Sequence, residues 1–450
     1  MTAKDRIIVA LDVDSPDKAI ALVEKLAPHV GAFKIGLEFI TAMIVTIVTA
    51  PGLGAAVDAV VKIRKLFELM AGKLFWDGKF NDIANTIAKA SKVLSTLGLK
   101  MFNVHASSGV DGMTAATQNA GSSLPLAVTV LTSLEENDAH NIFGAPSKAK
   151  VLQFAREAKL AGIGGIICSP RELELFDKHP ELAGFPKATP GIRSPEDPSD
   201  DQKRTMTPRE AIRAGAHWLV IGRPITNAAD PVAAVQKIAA EISAGLRERL
   251  HLALLNLSKV KFGAFKLKLH ETNPTAPLSP IYLDIRNLPD WVYALAGDVL
   301  HDLALSDGII DFDYVIGIPK AGEPIGKAFA AAIGKPFLRI EKIEESGGRR
   351  ISANTLDPFE KGRRVVLIDD LVTRAHTKRE AIEAVEANGL QVVETLVLYD
   401  REQGGLAELN EGGRKTTAAS KLSGMLDFFV GQKKITAEKR DEVMAYIAAN

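Results

Sequence analysis

Asp77-Gly-Lys79-Phe-Asn-Asp82-Ile83-Ala-Asn-Thr86 is the run whose residue types and spacing could do chemistry. If residues 74–80 form a strand, positions 77 and 79 point to the same side, and the following turn presents a second carboxylate at Asp82. A lysine held between carboxylates stays protonated and can deliver its proton to a carbon that acquires negative charge. The fixed carboxylate beside it disfavours a second anion, and loss of carbon dioxide from a substrate removes that anion. Taken alone, the spacing also suits an ordinary exposed ion pair at a strand end. Ala10-Leu11-Asp12 and Lys34-Ile35-Gly36 close two earlier runs and add a carboxylate and an amine at the same level.

A second run, Arg364-Val-Val-Leu-Ile-Asp369-Asp370-Leu-Val-Thr373-Arg374-Ala375-His376-Thr377, is an apolar strand, two carboxylates and a turn that opens a helix. Adjacent carboxylates are good partners for the paired hydroxyls of a ribose, and a helix-opening loop offers backbone N–H groups to a phosphate. A buried strand ending in solvated acids would read the same way.

These residues need elements to position them. Through the first 230 residues β-rich runs alternate with helical patterns, at Arg6–Val13, Ala32–Phe39, Leu74–Phe80, Met101–Ala106, Leu124–Thr132, Gly164–Ser169, Pro186–Gly191 and Trp218–Arg223. Eight such runs predict an α/β fold, a (β/α)₈ TIM barrel, with an open doubly wound sheet as the alternative. Asp12, Lys34, Asp77, Lys79, His105, Thr132, Ser133, Arg193 and Arg223 then fall at strand ends on one rim. His105 is read as a hydrogen-bonded structural group. From Thr41 to Lys73 a long segment is broken at Pro51-Gly52 and turns helical from Ala55 to Met70, its apolar residues expected against the barrel or a partner subunit.

Helical periodicity from Asp230 to Leu255 leads to a boundary near Lys259, giving domains 1–258 and 259–450. The second is a further α/β domain, with strands expected near Ile281–Ile285, Tyr314–Gly317, Phe337–Ile340, Arg364–Asp369 and Val392–Tyr399, and helices near Lys421–Val430 and Ala437–Ala449.

Lys+Arg and Asp+Glu number 55 each, which removes the electrostatic case for a nucleic-acid or membrane partner and leaves local basic clusters suited to small phosphorylated molecules. Cys168, in an apolar run, is a core residue and points to a reducing compartment. The apolar stretch Ala42–Ala50 is too short to cross a bilayer, and Met1–Arg6 does not read as a secretion signal. The expected compartment is the cytoplasm. A peroxisome-like organelle is the other compartment considered, but Tyr446–Asn450 carries no such address, and Ser420-Lys421-Leu422 is internal.

Asn103-Val-His105-Ala-Ser, Val128-Thr-Val-Leu-Thr132-Ser133, Thr189-Pro-Gly191-Ile-Arg193, Asp201-Gln202 and Ile221-Gly222-Arg223-Pro224 follow the lysine run in order. With it they resemble the orotidine 5′-monophosphate decarboxylases along nearly the whole first domain. The resemblance implies a cofactor-free decarboxylation with Lys79 as proton donor to C6, Asp77 destabilising the substrate carboxylate, and Lys34 and Asp12 on the ribose. It places Thr132 and Ser133 on the pyrimidine, Gln202, Gly222 and Arg223 on the phosphate, and Arg193 in the same substrate site. Asp82, Ile83 and Thr86 would reach into a neighbouring subunit, so a homodimer or higher homo-oligomer is expected. A sister family shares D-x-K-x-x-D but handles open-chain sugar phosphates with magnesium; the Gln202 loop and the Asn81–Thr86 continuation favour the nucleotide enzyme.

Phe262–Lys268, Ser279-Pro-Ile-Tyr282-Leu283-Asp284, Gly317-Ile-Pro319-Lys320-Ala321-Gly322 and Tyr399-Asp400-Arg401-Glu-Gln-Gly404-Gly405, together with the Asp369-Asp370 run, resemble the orotate phosphoribosyltransferases, of the type I phosphoribosyltransferase fold. By that likeness Lys268, Tyr282, Leu283, Thr373 and Arg401 surround orotate, Lys320 and Ala321 flank the diphosphate, and residues 369–377 hold the ribose phosphate. A basic loop containing Lys342 belongs to the same site, and Mg²⁺ enters on the oxygens of phosphoribosyl diphosphate.

The sequence departs from that family at Ala375, where glycine is usual, with Arg374 and His376 replacing smaller residues. If position 375 needs positive φ, alanine costs about 1 kcal/mol. It departs again at Glu345, which aligns with a loop lysine; Arg349 or Arg350, beside Gly347-Gly348, would have to supply that charge. Together the resemblances imply two consecutive steps from orotate to uridine monophosphate. The alternative is an active decarboxylase whose second domain binds phosphoribosyl diphosphate as a sensor or assembly module. A nucleic-acid-binding regulator is disfavoured by the balanced charge and the lack of a basic recognition helix.

Overall fold

The computed structural model describes residues 1–194, 205–266, 270, 275–345, 348–355 and 357–449, of which 341–345 and 348–355 by backbone alone. By contact the chain divides into two compact units, Ala3–Gly245 and Leu246–Asn450 with Met1–Thr2.

Short runs of branched apolar residues, buried on both faces, belong in a parallel sheet covered by helices. Here they close on themselves. β1 (Ile7–Ala10), β2 (Ala32–Gly36), β3 (Leu74–Phe80), β4 (Met101–His105), β5 (Leu124–Val128), β6 (Gly165–Ile167), β7 (Lys187–Thr189) and β8 (Trp218–Ile221) form a barrel in sequence order, closed by Ile7↔Leu219 between β1 and β8. The open-sheet alternative is therefore excluded. Several strands stop short of the expected runs, so Asp12, Thr132, Arg193 and Arg223 lie just beyond strand ends, where a barrel builds its sites.

The segment after β2 is a helical hairpin, Leu37–Val48 and Leu53–Leu69, turned at Gly52 with φ 102°. The longer helix anchors through Ala59 and Leu66, whereas Ile44, Val45, Val48, Leu53, Val57, Val60 and Val61 stay exposed. These residues do not pack on the barrel.

The second unit contains β9 (Val260–Phe265), β10 (Ser279–Leu283), β11 (Tyr314–Gly317), β12 (Phe337–Leu338), β13 (Ile340–Glu345), β14 (Gly348–Thr355), β15 (Arg364–Val372), β16 (Gln391–Asp400) and β17 (Thr416–Lys421). Five of these make a parallel sheet in the order β12-β11-β15-β16-β17, while β9–β10 and β13–β14 form two antiparallel pairs. Val365 and Leu367 of β15, Ile316 of β11 and Leu338 of β12 pack against Ala381, Ile382 and Val385 of the helix His376–Ala387. That packing holds the carboxyl end of β15 beside the ends of β11 and β16. No helix among the described residues is long and apolar enough to cross a membrane.

Two candidate active sites

In the barrel, acid and amine alternate along one row. Asp12 Oδ1 lies 3.2 Å from Lys34 Nζ, which lies 3.2 Å from Asp77 Oδ2, while Asp77 Oδ1 lies 2.7 Å from Lys79 Nζ. Three successive strands contribute: Asp12 follows β1, Lys34 is on β2, and Asp77 and Lys79 are on β3. A Cβ at Gly36 would stand 3.0 Å from Lys34 Nζ, so glycine there leaves the row its space. Burial opposes the charge on Asp77, but the ammonium groups of Lys34 and Lys79 and hydrogen bonds from Lys79 and Asn103 outweigh it and hold the carboxyl below its usual range. Burial first, then the charge of Lys79, lowers the pKa of His105.

The row forms one wall of a cavity of about 540 Å³. Thr132, Arg193, Gly222 and Arg223 line it too, along with Val128, Ile167 and Pro190. Ser133 is exposed in the turn after Thr132 and does not line it. Gln202 lies outside the described residues.

Two expectations are corrected. Lys79 is not in regular strand geometry: its φ is 49°, a left-handed conformation that costs about 1–2 kcal/mol in a non-glycine residue. It meets Asp77 because the chain bulges, not because strand residues alternate. Nor is it gripped by Asp82, to which no ion pair joins it among the described residues. The Asp82 carboxylate accepts the N–H of Ile83 at 2.7 Å, and Asp82, Ile83 and Thr86 are exposed and absent from the lining of their own cavity. Lys34, rather than Asp82, completes the charge row within one chain. Asn103 was missed as a site residue; its presence in the Asn103-Val-His105 motif, two residues before His105, was the only signal.

In the second unit β15 runs on through both acids to Val372. Asp369 is buried and pairs with Lys378 at 2.6 Å, and Lys378 Nζ also donates to the carbonyl of Leu371. Lys378 was missed because it returns to the strand end only when the helix His376–Ala387 folds back. Burial, reinforced by the charge of Asp369, raises the Asp370 carboxyl above the usual range. A carboxyl raised on folding stabilises below its unfolded value and loses that contribution as pH rises through the folded one. Asp370→Asn is therefore expected to melt closer to the parent in mild acid and above it at alkaline pH, about 1.4 kcal/mol for each unit of upward shift. Thermal melts across that range check this; parallel curves would count against it.

Ala375 has φ −73°, so the cost attached to positive φ does not arise. Its methyl group is buried with Val372, Val397 and Leu409. A Cβ at Gly405 would stand 2.7 Å from Arg374 Cα, so glycine there lets the strand-end loop and the Gly404-Gly405 turn approach. Thr373, Arg374, His376 and Thr377 follow β15 at the start of its helix. Lys320, at φ 87°, and Ala321 precede the helix Gly322–Ile333, and a Cβ at Gly322 would meet the carbonyl of Ile368 at 2.5 Å. Lys320 lines a pocket with Asp284, Arg286, Asn287, Tyr293 and Pro324. Arg286 was also missed, although Tyr282, Asp284 and Arg286 sit at alternate positions. It donates to Tyr282 Oη at 2.9 Å and to Asp284 at 2.8 Å. Leu283 is buried on β10.

Arg401 is 6% exposed, and its Nε and Nη2 find no hydrogen-bond partner among the described residues. Lys268 lies outside the described residues, and Lys342, Glu345, Arg349 and Arg350 are placed by backbone alone, with Glu345↔Gly348 and Glu344↔Arg349 paired across β13 and β14.

Residues 5–238 match the model of the orotidine 5′-phosphate decarboxylase / HUMPS family, and residues 296–411 match that of the phosphoribosyl transferase domain. The chain is 42% identical over 255 residues to orotidine 5′-phosphate decarboxylase of Moorella thermoacetica, covering 54% of this chain and 94% of that one. It is 40% identical over 256 residues to the enzyme of the same name from Syntrophomonas wolfei, covering 54% and 99%. Over its whole length it shares the fold of Leishmania donovani UMP synthase, with a TM-score of 0.55 and 21% identity, covering 100% of this chain and 98% of that one.

Proposed function

Because the chain belongs to the orotidine 5′-phosphate decarboxylase / HUMPS family and carries a phosphoribosyl transferase domain after it, we propose that it makes uridine monophosphate in two steps, as a bifunctional uridine monophosphate synthase. Residues 259–450 join orotate to phosphoribosyl diphosphate, and residues 1–258 decarboxylate the resulting orotidine 5′-monophosphate. The observation that carries this reading is the alternating row Asp12, Lys34, Asp77, Lys79 on the wall of a cavity that also holds Arg193 and Arg223.

With the phosphate held by Arg193, Arg223, Gly222 and Gln202, the pyrimidine meets Thr132, and its carboxylate faces Asp77. Two anions in contact raise the ground state, and departure of carbon dioxide relieves them. The electron pair left on C6 takes a proton from Lys79, and Lys34 with Asp12 holds the ribose.

Asp82, Ile83 and Thr86 serve the cavity of a second copy, so the working unit is at least a homodimer. Two observations support this: Ile83 is 71% exposed, and the helical hairpin after the neighbouring strand β2 leaves a broad apolar surface uncovered. From Phe39 to Val57 that segment carries no charge, which suits a two-fold contact where a patch meets its own copy.

In the transferase, Asp369 and Asp370 take the ribose hydroxyls, the loop through Thr377 the 5′-phosphate, and Lys320 with Ala321 the diphosphate. Tyr282, Leu283, Lys268, Thr373 and Arg401 surround orotate, and Lys342, on β13, belongs to the same site. Asp369 is already paired with Lys378, so this donor set fits sugar hydroxyls better than a bare metal ion. Bound together with phosphoribosyl diphosphate, Mg²⁺ would supply charge neutralisation to the leaving group.

Glu345, at the position of a loop lysine, is the observation behind a second reading in which this domain only senses phosphoribosyl diphosphate. A coupled assay with orotate, phosphoribosyl diphosphate and magnesium separates the two. Orotate loss matched by carbon dioxide release is expected. Absence of pyrophosphate would leave the sensor reading, and failure to decarboxylate added orotidine 5′-monophosphate would sink the barrel assignment.

A further inference from the structure

β3 and β4 are in register at Trp76↔Phe102 and again at Phe80↔Val104, so Asp77, Gly78 and Lys79 stand opposite Asn103 alone. A bulge of this kind leaves backbone groups without their ladder partners and re-aims the side chains it carries. A Cβ on Gly78 would lie 2.4 Å from Trp76 Nε1, so a side chain there would force the indole to shift, and Lys79 follows it at φ 49°. The side chain of Asn103, 1% exposed, fills the gap in the ladder. Its Oδ1 accepts the backbone N–H of Lys79 at 2.7 Å, and its Nδ2 donates to Asp77 Oδ1 at 2.6 Å.

The orientation of this amide is fixed by its partners, because a backbone N–H can only donate and an ionised carboxylate can only accept. Both arms act on the charge pair. One holds the strained backbone that aims Lys79, and the other binds the same Asp77 oxygen that Lys79 Nζ reaches at 2.7 Å. A carboxylate at position 103 would keep the acceptor and turn the donor into a repulsion, and an apolar residue would lose both.

We propose that Asn103 is a positioning residue of the decarboxylation centre, clamping the bulged backbone of Lys79 and the carboxylate of Asp77 in one geometry. This rests on the decarboxylase reading of the barrel. Misplacing a catalytic group by about 1 Å costs on the order of 100-fold in rate, so Asn103→Ala is expected to lower kcat by about that factor with little change in KM.

Asn103→Asp, the isosteric variant, adds a readout that a merely structural role would not move. It should be weak at neutral pH and regain rate as pH falls, when a shared proton restores the donor toward Asp77. Amide hydrogen exchange at Lys79 tests the clamp whether or not any substrate is turned over: the site should be protected in the parent and open in Asn103→Ala. Unchanged kcat in Asn103→Ala, a pH-independent loss in Asn103→Asp, or equal protection of Lys79 in parent and variant would overturn the proposal. A parent that does not decarboxylate but shows Asn103-dependent protection would instead refute the reading of the barrel alone.

Discussion

Lys79→Ala is expected to lower decarboxylation by on the order of 10⁴-fold or more while orotidine 5′-monophosphate still forms and accumulates. The lysine supplies the proton, a role worth roughly 10²–10⁴ by itself, and it is also one of two cations beside Asp77. Without it Asp77 loses its closest cation, so part of the substrate repulsion that drives the reaction is spent protonating the acid instead. Asp82→Asn should also be inactive, for another reason: in the proposed dimer its carboxylate serves the neighbour's cavity. Lys79→Ala and Asp82→Asn, mixed and allowed to exchange subunits, should then regain about a quarter of parental activity. Half of the randomly assorted dimers are hybrids, each with one intact site. No recovery on mixing, with exchange shown by labelled subunits, would place Asp82 with its own chain's cavity or outside the chemistry.

How the sequence and the structure differ around that lysine shows what a pattern of residue types can carry. The barrel was legible because each strand is a short apolar run and each helix an amphipathic one, and the two periods are distinct over eight repeats. Asp12, Lys34, Thr132, Arg193 and Arg223 were legible as a rim because strand ends on one side of a barrel must converge. The Asp77–Lys79 contact was anticipated from strand alternation, yet it is made by a bulge at Lys79, which no periodicity announces. Asn103 was invisible for the same reason: its function exists only once the ladder breaks opposite it. In the second unit β17, Thr416-Thr-Ala-Ala-Ser-Lys421, has no bulky apolar residue, and β13 with β14 is dominated by polar and charged ones, so neither reads as a strand. Lys378 and Arg286 belong to this group as well, since their partners lie on a strand end and a side-chain row that folding alone brings within reach.

Arg401→Leu is expected to separate stability from transfer in the second unit. The guanidinium is buried, its Nε and Nη2 have no hydrogen-bond partner among the described residues, and burial lowers its pKa, so the folded protein holds a cation at a cost. Such a group is either a defect or an unfilled half of a pair. The substrate assigned to this region carries a carboxylate that would complete it. Removing one member of a buried charge pair costs about 2–5 kcal/mol, so kcat/KM for orotate should fall by roughly 30- to several thousand-fold. Replacing an unpaired buried charge by an apolar group of similar reach is neutral or stabilising, so the melting temperature should hold or rise. The backbone bond from Arg401 N to Val372 O at 2.9 Å survives the change, which keeps the turn that presents the residue. Decarboxylation of added orotidine 5′-monophosphate should be unaffected. The idea would be sunk by a sharp drop in melting temperature with transferase kinetics near the parent's, which would mean that Arg401 holds the fold together and meets no substrate.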